Sequence, residues 1–422
     1  GIFSMEMIGK NRSKGVVKEA SSAMPSDLKY ENRWQVLRVF RDGGEYTAND
    51  VAAKTGISRQ TTMKAIRFFC NRGLLRSSGK GDSTDIGGKK PEHFTFYCKS
   101  YLLCIAMWPG RIGLTLFDLV RHRLDYMEGE LPPYLTLEEA FERLEALSDV
   151  FLTRNGVPLS ELYGVGLSTA GVVDYKSGNL RYNAYTPQWG RDVPLASKLY
   201  RLYGSNVVVY VENAAKAIGR SVLLDDERIK QKRVLTLFNN WGLSACMIER
   251  GHVLNGRDSL IGELGQMLIN AYDGAPQRLE KLMGREWVVG RLAHYPPASS
   301  SLLHGVSAEA ITLSRVFAAS AAGDPCAREI VGELACTTAA VLHNATLFFN
   351  PDLVIFHGDF ADSFFDRMLK QRLAQLSTYP DLGLFETVYD KRPIAELDAL
   401  GVSSALANFF FRSDSLYSGK EE

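Results

Sequence analysis

Apolar residues are scattered without period over positions 1–27, which are rich in Lys, Ser and Gly, so a flexible tail is expected over 1–28. From Tyr30 the spacing turns helical. Trp34, Leu37, Val39 and Phe40 fall on one face, and Asp42-Gly43-Gly44 closes the run. Thr47 is placed to cap a second helix carrying Val51, Ala52 and Ala53. A tight turn follows, in which Gly56 supplies a left-handed backbone, Ile57 packs inward and Ser58 caps a third helix. That helix repeats apolar residues at Met63, Ile66, Phe69 and Cys70 and stops near Gly73. Short runs at 74–78 and 93–98 read as strands, joined by a polar loop over 78–91.

Beyond residue 98 the pattern changes. Short, β-branched-rich runs at 102–107, 112–119, 162–168 and 207–211 alternate with helical spacing over 137–152 and 195–202. A second series has strands at 234–238, 245–249 and 353–357, with helices over 308–321 and 326–348. This alternation predicts an α/β body, and two successive sets predict two lobes with a ligand cleft.

Charge sharpens the reading of the first hundred residues. Residues 1–98 hold 17 Lys+Arg against 10 Asp+Glu, while the rest of the chain carries a net −6. The third helix opens with Ser58-Arg59-Gln60-Thr61-Thr62 and continues to Lys64, and the following loop carries Lys89 and Lys90. Two short helices joined by a Gly turn, then two strands with a basic loop, is the layout of a winged helix-turn-helix. Such a module places small polar and basic side chains at the start of the helix that enters the major groove. All eight residues are therefore expected DNA contacts, with operator DNA as partner. A generic helical subdomain would share the spacing.

Composition adds exclusions. No run of eighteen apolar residues exists, and the N-terminal stretch alternates charge with apolar residues, so neither a membrane span nor a signal peptide is expected. Six cysteines without a CxxC pair read as reduced thiols, which fits an expected cytoplasmic location.

Four segments of the body occur in a telling order. They are Gly164-Val165-Gly166-Leu167-Ser168-Thr169-Ala170-Gly171-Val172-Val173-Asp174, Asn183 with Trp189 and Val193-Pro194-Leu195, Gly262-Glu263-Leu264-Gly265-Gln266-Met267, and Asn350-Pro351 through His357-Gly358. Together with Gly87-Gly88-Lys89-Lys90-Pro91 in the wing, they resemble the ROK family (repressor, open reading frame, kinase). The resemblance implies a two-lobed, actin-like (ribonuclease H-like) ATPase/sugar-kinase fold behind the winged helix. The DNA-binding domain would span 29–98, lobe 1 residues 99–212 plus 395–422, and lobe 2 residues 213–394. It also implies a sugar pocket lined by Thr169, Gly171, Asn183, Asn213, Glu263, Gln266 and Glu280. Taken singly, Glu263 reads as a helix-start carboxylate and Glu280 as part of a solvated helix face.

The catalytic parts depart from the family pattern. Where the family has Asn-Asp-Ala-Asn, with the Asp as general base, this chain has Asn213-Ala214-Ala215-Lys216, and a methyl group accepts no proton. The first phosphate loop, Asp-x-Gly-Gly-Thr, corresponds to Ala106-Met107-Trp108-Pro109-Gly110. The second, Gly-Ile-Gly-Ala-Gly, reads Gly242-Leu243-Ser244-Ala245-Cys246. The family's zinc cluster is also missing, with Gln266 for its His and no Cys between Cys246 and Cys326, so neither metal nor cofactor is expected. The expected function is a transcriptional regulator, a repressor of carbohydrate-utilisation genes, that binds a sugar effector without catalysis and forms a homodimer or homotetramer. Two alternatives stay open: a sugar kinase with an appended DNA-binding module, and a protein-interaction scaffold.

Overall fold

The computed structural model describes residues 25–80, 91–224, 227–239, 243–270, 276–294, 301–358, 360, 363–379 and 381–419. The expected tail up to residue 24, and Lys89 and Lys90 of the expected wing, lie outside them. The chain forms two compact units. Unit 1 comprises Gly1–Leu167, Lys176–Val211 and Ser403–Glu422; unit 2 comprises Ser168–Tyr175 and Glu212–Val402.

Unit 1 opens with α1 (Pro25–Val39), β1 (Tyr46–Thr47), α2 (Ala48–Thr55), α3 (Arg59–Asn71), β2 (Leu75–Lys80) and β3 (Glu92–Phe96). The caps follow the local sequence. Thr47 accepts from Asp50 N–H while the Asp50 carboxylate accepts from Thr47 N–H, a reciprocal box at the start of α2. Gly56 ends α2 at φ 73°, and Ser58 Oγ accepts from Thr61 N–H to start α3. Val36, Leu37, Phe40, Val51, Ile66 and Phe69 are fully buried, closing the three helices on one core. The strands form an antiparallel sheet in the order β1-β3-β2.

The larger part of unit 1 runs through β4 (Tyr101–Trp108), β5 (Gly110–Asp118), β6 (Arg123–Leu131), α4 (Leu137–Asn155), β7 (Leu162–Thr169), β8 (Val172–Val173), β9 (Leu180–Tyr182), α5 (Leu195–Tyr203) and β10 (Val208–Asn213). Five of these strands form one sheet, ordered β10-β7-β4-β5-β6. β6 is an edge strand that the apolar pattern did not announce, because its exposed alternate residues mix Leu124 and Tyr126 with Glu128 and Glu130.

Unit 2 contains α6 (Ala214–Ser221), β11 (Arg233–Asn239), β12 (Leu243–Glu249), β13 (His252–Val253), β14 (Leu268–Asn270), β15 (Pro276–Arg278), α7 (Leu279–Met283), α8 (Arg285–Leu292), α9 (Leu313–Ala321), α10 (Pro325–Phe348), β16 (Leu353–Gly358), α11 (Ser363–Leu376), β17 (Glu386–Asp390) and the first half of α12 (Ile394–Phe411). Its sheet is ordered β13-β12-β11-β16-β17, antiparallel through β12 and parallel across β11, β16 and β17. α10 and α11 supply the crossovers that parallel strands require. Within unit 2 α12 lies against α6 so closely that a Cβ on Gly401 would sit 1.7 Å from Ala217 O. Only glycine fits there.

The second half of α12 and the residues after it belong to unit 1, where they are tied to the first helices. Arg33 donates to Tyr417 O (2.8 Å) and Gly419 O (3.0 Å), Arg72 to Ser418 O (2.9 Å), and Tyr30 to Asp414 (2.7 Å). Phe96 packs on Phe410 and Phe411. Among the described residues α12 is the one helix long and apolar enough to cross a membrane, yet 67% of that window is buried inside the protein.

Candidate functional site

Six of the seven expected pocket residues fall in unit 2: Thr169, Gly171, Asn213, Glu263, Gln266 and Glu280. Asn213 is the N-cap of α6. Its Oδ1 accepts from Ala215 and Lys216 N–H, and its Nδ2 donates to Gly171 O at 2.8 Å. The side chain thus joins the helix start to the segment at 169–171 and keeps one N–H unspent. Thr169 is buried and donates to Ala170 O. Asn183 lies in unit 1, buried, with Oδ1 accepting from Tyr185 N–H.

Glu263 is half-buried, and its carboxylate makes no hydrogen bond among the described residues. Burial raises its pKa, opposed by Lys216 and assisted by Glu280. A carboxylate held in this way is short of donors. Its position is fixed by two glycines. Gly262 has φ 102° with its missing Cβ 2.1 Å from Ala245 O, and Gly265 lies against Leu243 O. Gln266 donates to Glu280 at 2.9 Å and accepts from Arg278 at 2.6 Å. A carboxamide engaged on both sides does not fit a zinc ligand.

Lys216 had not been expected here. It is buried, donates to Ser259 O at 2.9 Å, and burial lowers its pKa while Glu212 raises it. Ser259 Oγ in turn accepts from Tyr175 N–H, so Lys216 and Ser259 connect α6 with two loops. The signal was present in the sequence, because Lys216 stands where the family's Asn-Asp-Ala-Asn has its second Asn.

The expected phosphate-handling positions are filled. In unit 1, Pro109 forms the turn of the β4–β5 hairpin, Trp108 is buried, and the Arg111 guanidinium lies 4.8 Å from its ring centre. In unit 2, Cys246 occupies the space beside Gly219 of α6, where an added Cβ would be 2.3 Å away, and burial pushes its thiol up to about 12. His357, at a family Gly position, is fully buried; its Nδ1 is 3.6 Å from an Asp390 oxygen, and among the described residues neither ring nitrogen is within hydrogen-bond distance of a partner. Burial would raise the Asp390 carboxyl, but His357 and Arg392 together hold it well below the usual range.

The expected DNA contacts divide by helix face. Ser58, Arg59, Gln60 and Lys64 are exposed, Thr61 is half-buried, and Thr62 is fully buried. Thr62 therefore presents nothing outward, which corrects its inclusion as a DNA contact. It shares the inner face with Ile66 and Phe69, at helical spacing. Arg67, not singled out in the sequence, is exposed one turn beyond Lys64.

Known proteins resemble this chain in sequence and in fold. A glucokinase from Halalkalibacterium halodurans is 26% identical over 212 residues, covering 47% of this chain and 62% of its own length. One from Thermotoga maritima is 26% identical over 206 residues, 46% of this chain and 63% of its own. The chain thus spans about three-fifths of the glucokinases it matches. The xylose repressor of Caldicellulosiruptor bescii is 25% identical over 367 residues, 83% of this chain and 88% of its own. Among solved structures, a ROK family transcriptional regulator described as a homolog of the E. coli MLC protein superposes with a TM-score of 0.72 at 18% identity, covering 93% of this chain and all of that one. A ROK glucokinase from Streptomyces griseus, with glucose and AMPPNP, gives 0.59 at 19% identity over 72% of this chain and 99% of its own. At these identities the structures speak for the fold, a mixed α/β sugar-kinase body. The ROK family model matches residues 136–382, more than half of the sequence, and the chain belongs to the ROK family.

Proposed function

We propose that this protein is a sequence-specific DNA-binding transcriptional regulator, a repressor of carbohydrate-utilisation genes, whose body binds a sugar or sugar derivative without phosphorylating it. Residues 29–98 act as the winged helix-turn-helix. The observation that carries the reading is α3, whose inner face packs on the helical core while its outer face offers Arg59, Gln60, Lys64 and Arg67 to solvent. Base edges are read by such side chains, and phosphates by the surrounding cations.

In unit 2 of the body, Asn213 and Glu263 serve as donor and acceptor for effector hydroxyls, with Gln266 and Glu280 beside them and Thr169 and Gly171 lining the site. Catalysis is absent because Ala214 accepts no proton and Trp108, Pro109, Ser244 and Cys246 leave no phosphate cradle. Phosphoryl transfer depends on positioning and charge stabilisation, so losing these together suppresses it. The glucokinase matches favour the rival reading of a working kinase, and one assay separates them. ADP release is measured with ATP, Mg²⁺ and a sugar panel that includes xylose and glucose. Background-level release, with sugar-dependent thermal stabilisation, is expected. Turnover on the order of 1–100 per second would establish the kinase instead. The regulator acts as a homodimer or homotetramer on a symmetric operator.

A further inference from the structure

Within unit 1, Arg121, Arg412 and Arg38 stand near enough to act on Arg41, where the end of α1, the β5–β6 turn and the end of α12 meet. Arg41 is half-buried. It donates to Asn408 Oδ1 at 2.7 Å and lies 4.6 Å from the Phe411 ring centre, which places it beside Arg412. The β5–β6 turn reaches the same place, because Gly43 lies against His122 and Val120, so closely that a Cβ would be 2.3 Å from the imidazole. Arg121 stands in that turn, half-buried, at φ 69°, a conformation that long side chains rarely adopt. Arg38, in the last turn of α1 and three residues before Arg41, lies over Trp34.

Acceptors do not match these donors. Among the described residues the one side-chain acceptor hydrogen-bonded to any of the four guanidinium groups is Asn408 Oδ1, which accepts from Arg41. The nearby carboxylates are engaged elsewhere: Asp42 accepts from Gly44 N–H and the Tyr46 hydroxyl, and Asp118 from His122 N–H and its ring. Tyr417, also nearby, donates to Phe411 O. Burial first, then Arg121, lowers Arg41 to about 10, with Arg412 and Arg38 acting in the same direction. Burial lowers Arg121 as well, opposed by the nearby Asp118 carboxylate. Converging cations with unspent N–H groups repel one another unless an anion sits among them, and guanidinium forks match tetrahedral oxyanions.

We propose that Arg38, Arg41, Arg121 and Arg412 form a binding site for a phosphate-type oxyanion. The half-burial of Arg41 and Arg121 suits a compact phosphate ester better than a duplex, for which α3 already presents an exposed basic face. The site does not depend on the sugar reading.

The test uses full-length protein and pyrophosphate as probe. Its thermal unfolding midpoint is followed against chloride at matched ionic strength. A saturable rise of about 5 °C is expected with pyrophosphate alone. It should fall below half that in the Arg121→Gln/Arg412→Gln double variant, which touches one turn and one exposed helix end. Arg41→Lys, which keeps the charge and loses the fork, should weaken it as well. A second arm measures the salt dependence of affinity for a mixed-sequence DNA duplex. If pyrophosphate does nothing while the double variant lowers the log–log slope by about 2, the phosphate oxygens come from the DNA backbone. An equal response to chloride and pyrophosphate, with an unchanged DNA slope, overturns the site.

Discussion

Strand β12 shows two different fates for glycine. On the face that carries Leu243 and Ala245, which joins the large core of unit 2, the glycines of the neighbouring loop are kept. Gly262 and Gly265 pack directly on strand carbonyls, and no side chain would fit. On the other face, Cys246 joins a separate cluster with Val222 and Ile248 and replaces a family glycine, as Ser244 does one strand pitch away. His357 on β16 follows the same pattern. Glycines that hold the loop bearing Glu263 are constrained by packing, whereas in a regulator that handles no phosphate, as proposed, the glycines that would let a phosphate approach the backbone are free to vary. In the proposed regulator, altered phosphate positions and a packed loop bearing Glu263 therefore share one strand.

The difference can be broken most sharply with Gly262→Ala. Its Cβ would enter a left-handed backbone against Ala245 O, so a loss of about 4 kcal/mol or more is expected in chemical denaturation. Cys246→Gly should cost only about 2 kcal/mol, from the lost side chain and added backbone freedom. Equal losses would remove the distinction.

A smaller effect concerns the ligand. Glu263→Ala should weaken binding of the best sugar from the panel by about 1–3 kcal/mol, because a hydroxyl donor loses its acceptor. Since its pKa is raised, wild-type affinity should drop on acidification before an ordinary glutamate would titrate near 4.5. Glu263→Gln should flatten that acid limb, and calorimetry across pH would expose a limb that persists.

Smaller still is the term at the end of β16. A carboxyl depressed in the folded protein contributes stability above its unfolded pKa and loses it as pH falls through the folded value. His357→Gly removes one of the partners holding Asp390 down, so its acid unfolding should be less steep below about pH 4, by about 1 kcal/mol. Identical acid-unfolding curves would mean that His357 does not act on Asp390. The smallest expected change is none. Ala214→Asp alone should leave ATP turnover at background, and substantial turnover would show that the phosphate positions still function.

Much of the first module was legible because its signals are local. Thr47, Gly56 and Ser58 act within a few residues of themselves, so capping and turn chemistry located α2 and α3. The block 58–62 was read as one surface, whereas helical period turns Thr62 inward with Ile66 and Phe69. β6 was missed because its outward residues, including Glu128 and Glu130, mask its pairing with β5. The clamp of Arg33 and Arg72 on the C-terminal residues spans 384 and 346 positions, a distance over which no periodicity carries information. In the candidate site, Asn213 and Glu263 were marked by family motifs. The contact of Lys216 is not legible because its partner Ser259 lies 43 positions away, and the arginine cluster is visible only once three distant segments meet.

The central claim, sensing without turnover, is tested most directly by measuring operator affinity with and without the best-binding sugar. Linkage requires that an effector which shifts the protein between two DNA-binding states change operator affinity by about 1–3 kcal/mol, roughly 5–150-fold, and that the operator change sugar affinity by the same factor. The account predicts that change in wild type and its loss in the Asn213→Ala/Glu263→Ala double variant. A sugar that saturates the wild-type protein while leaving operator affinity unchanged would contradict it.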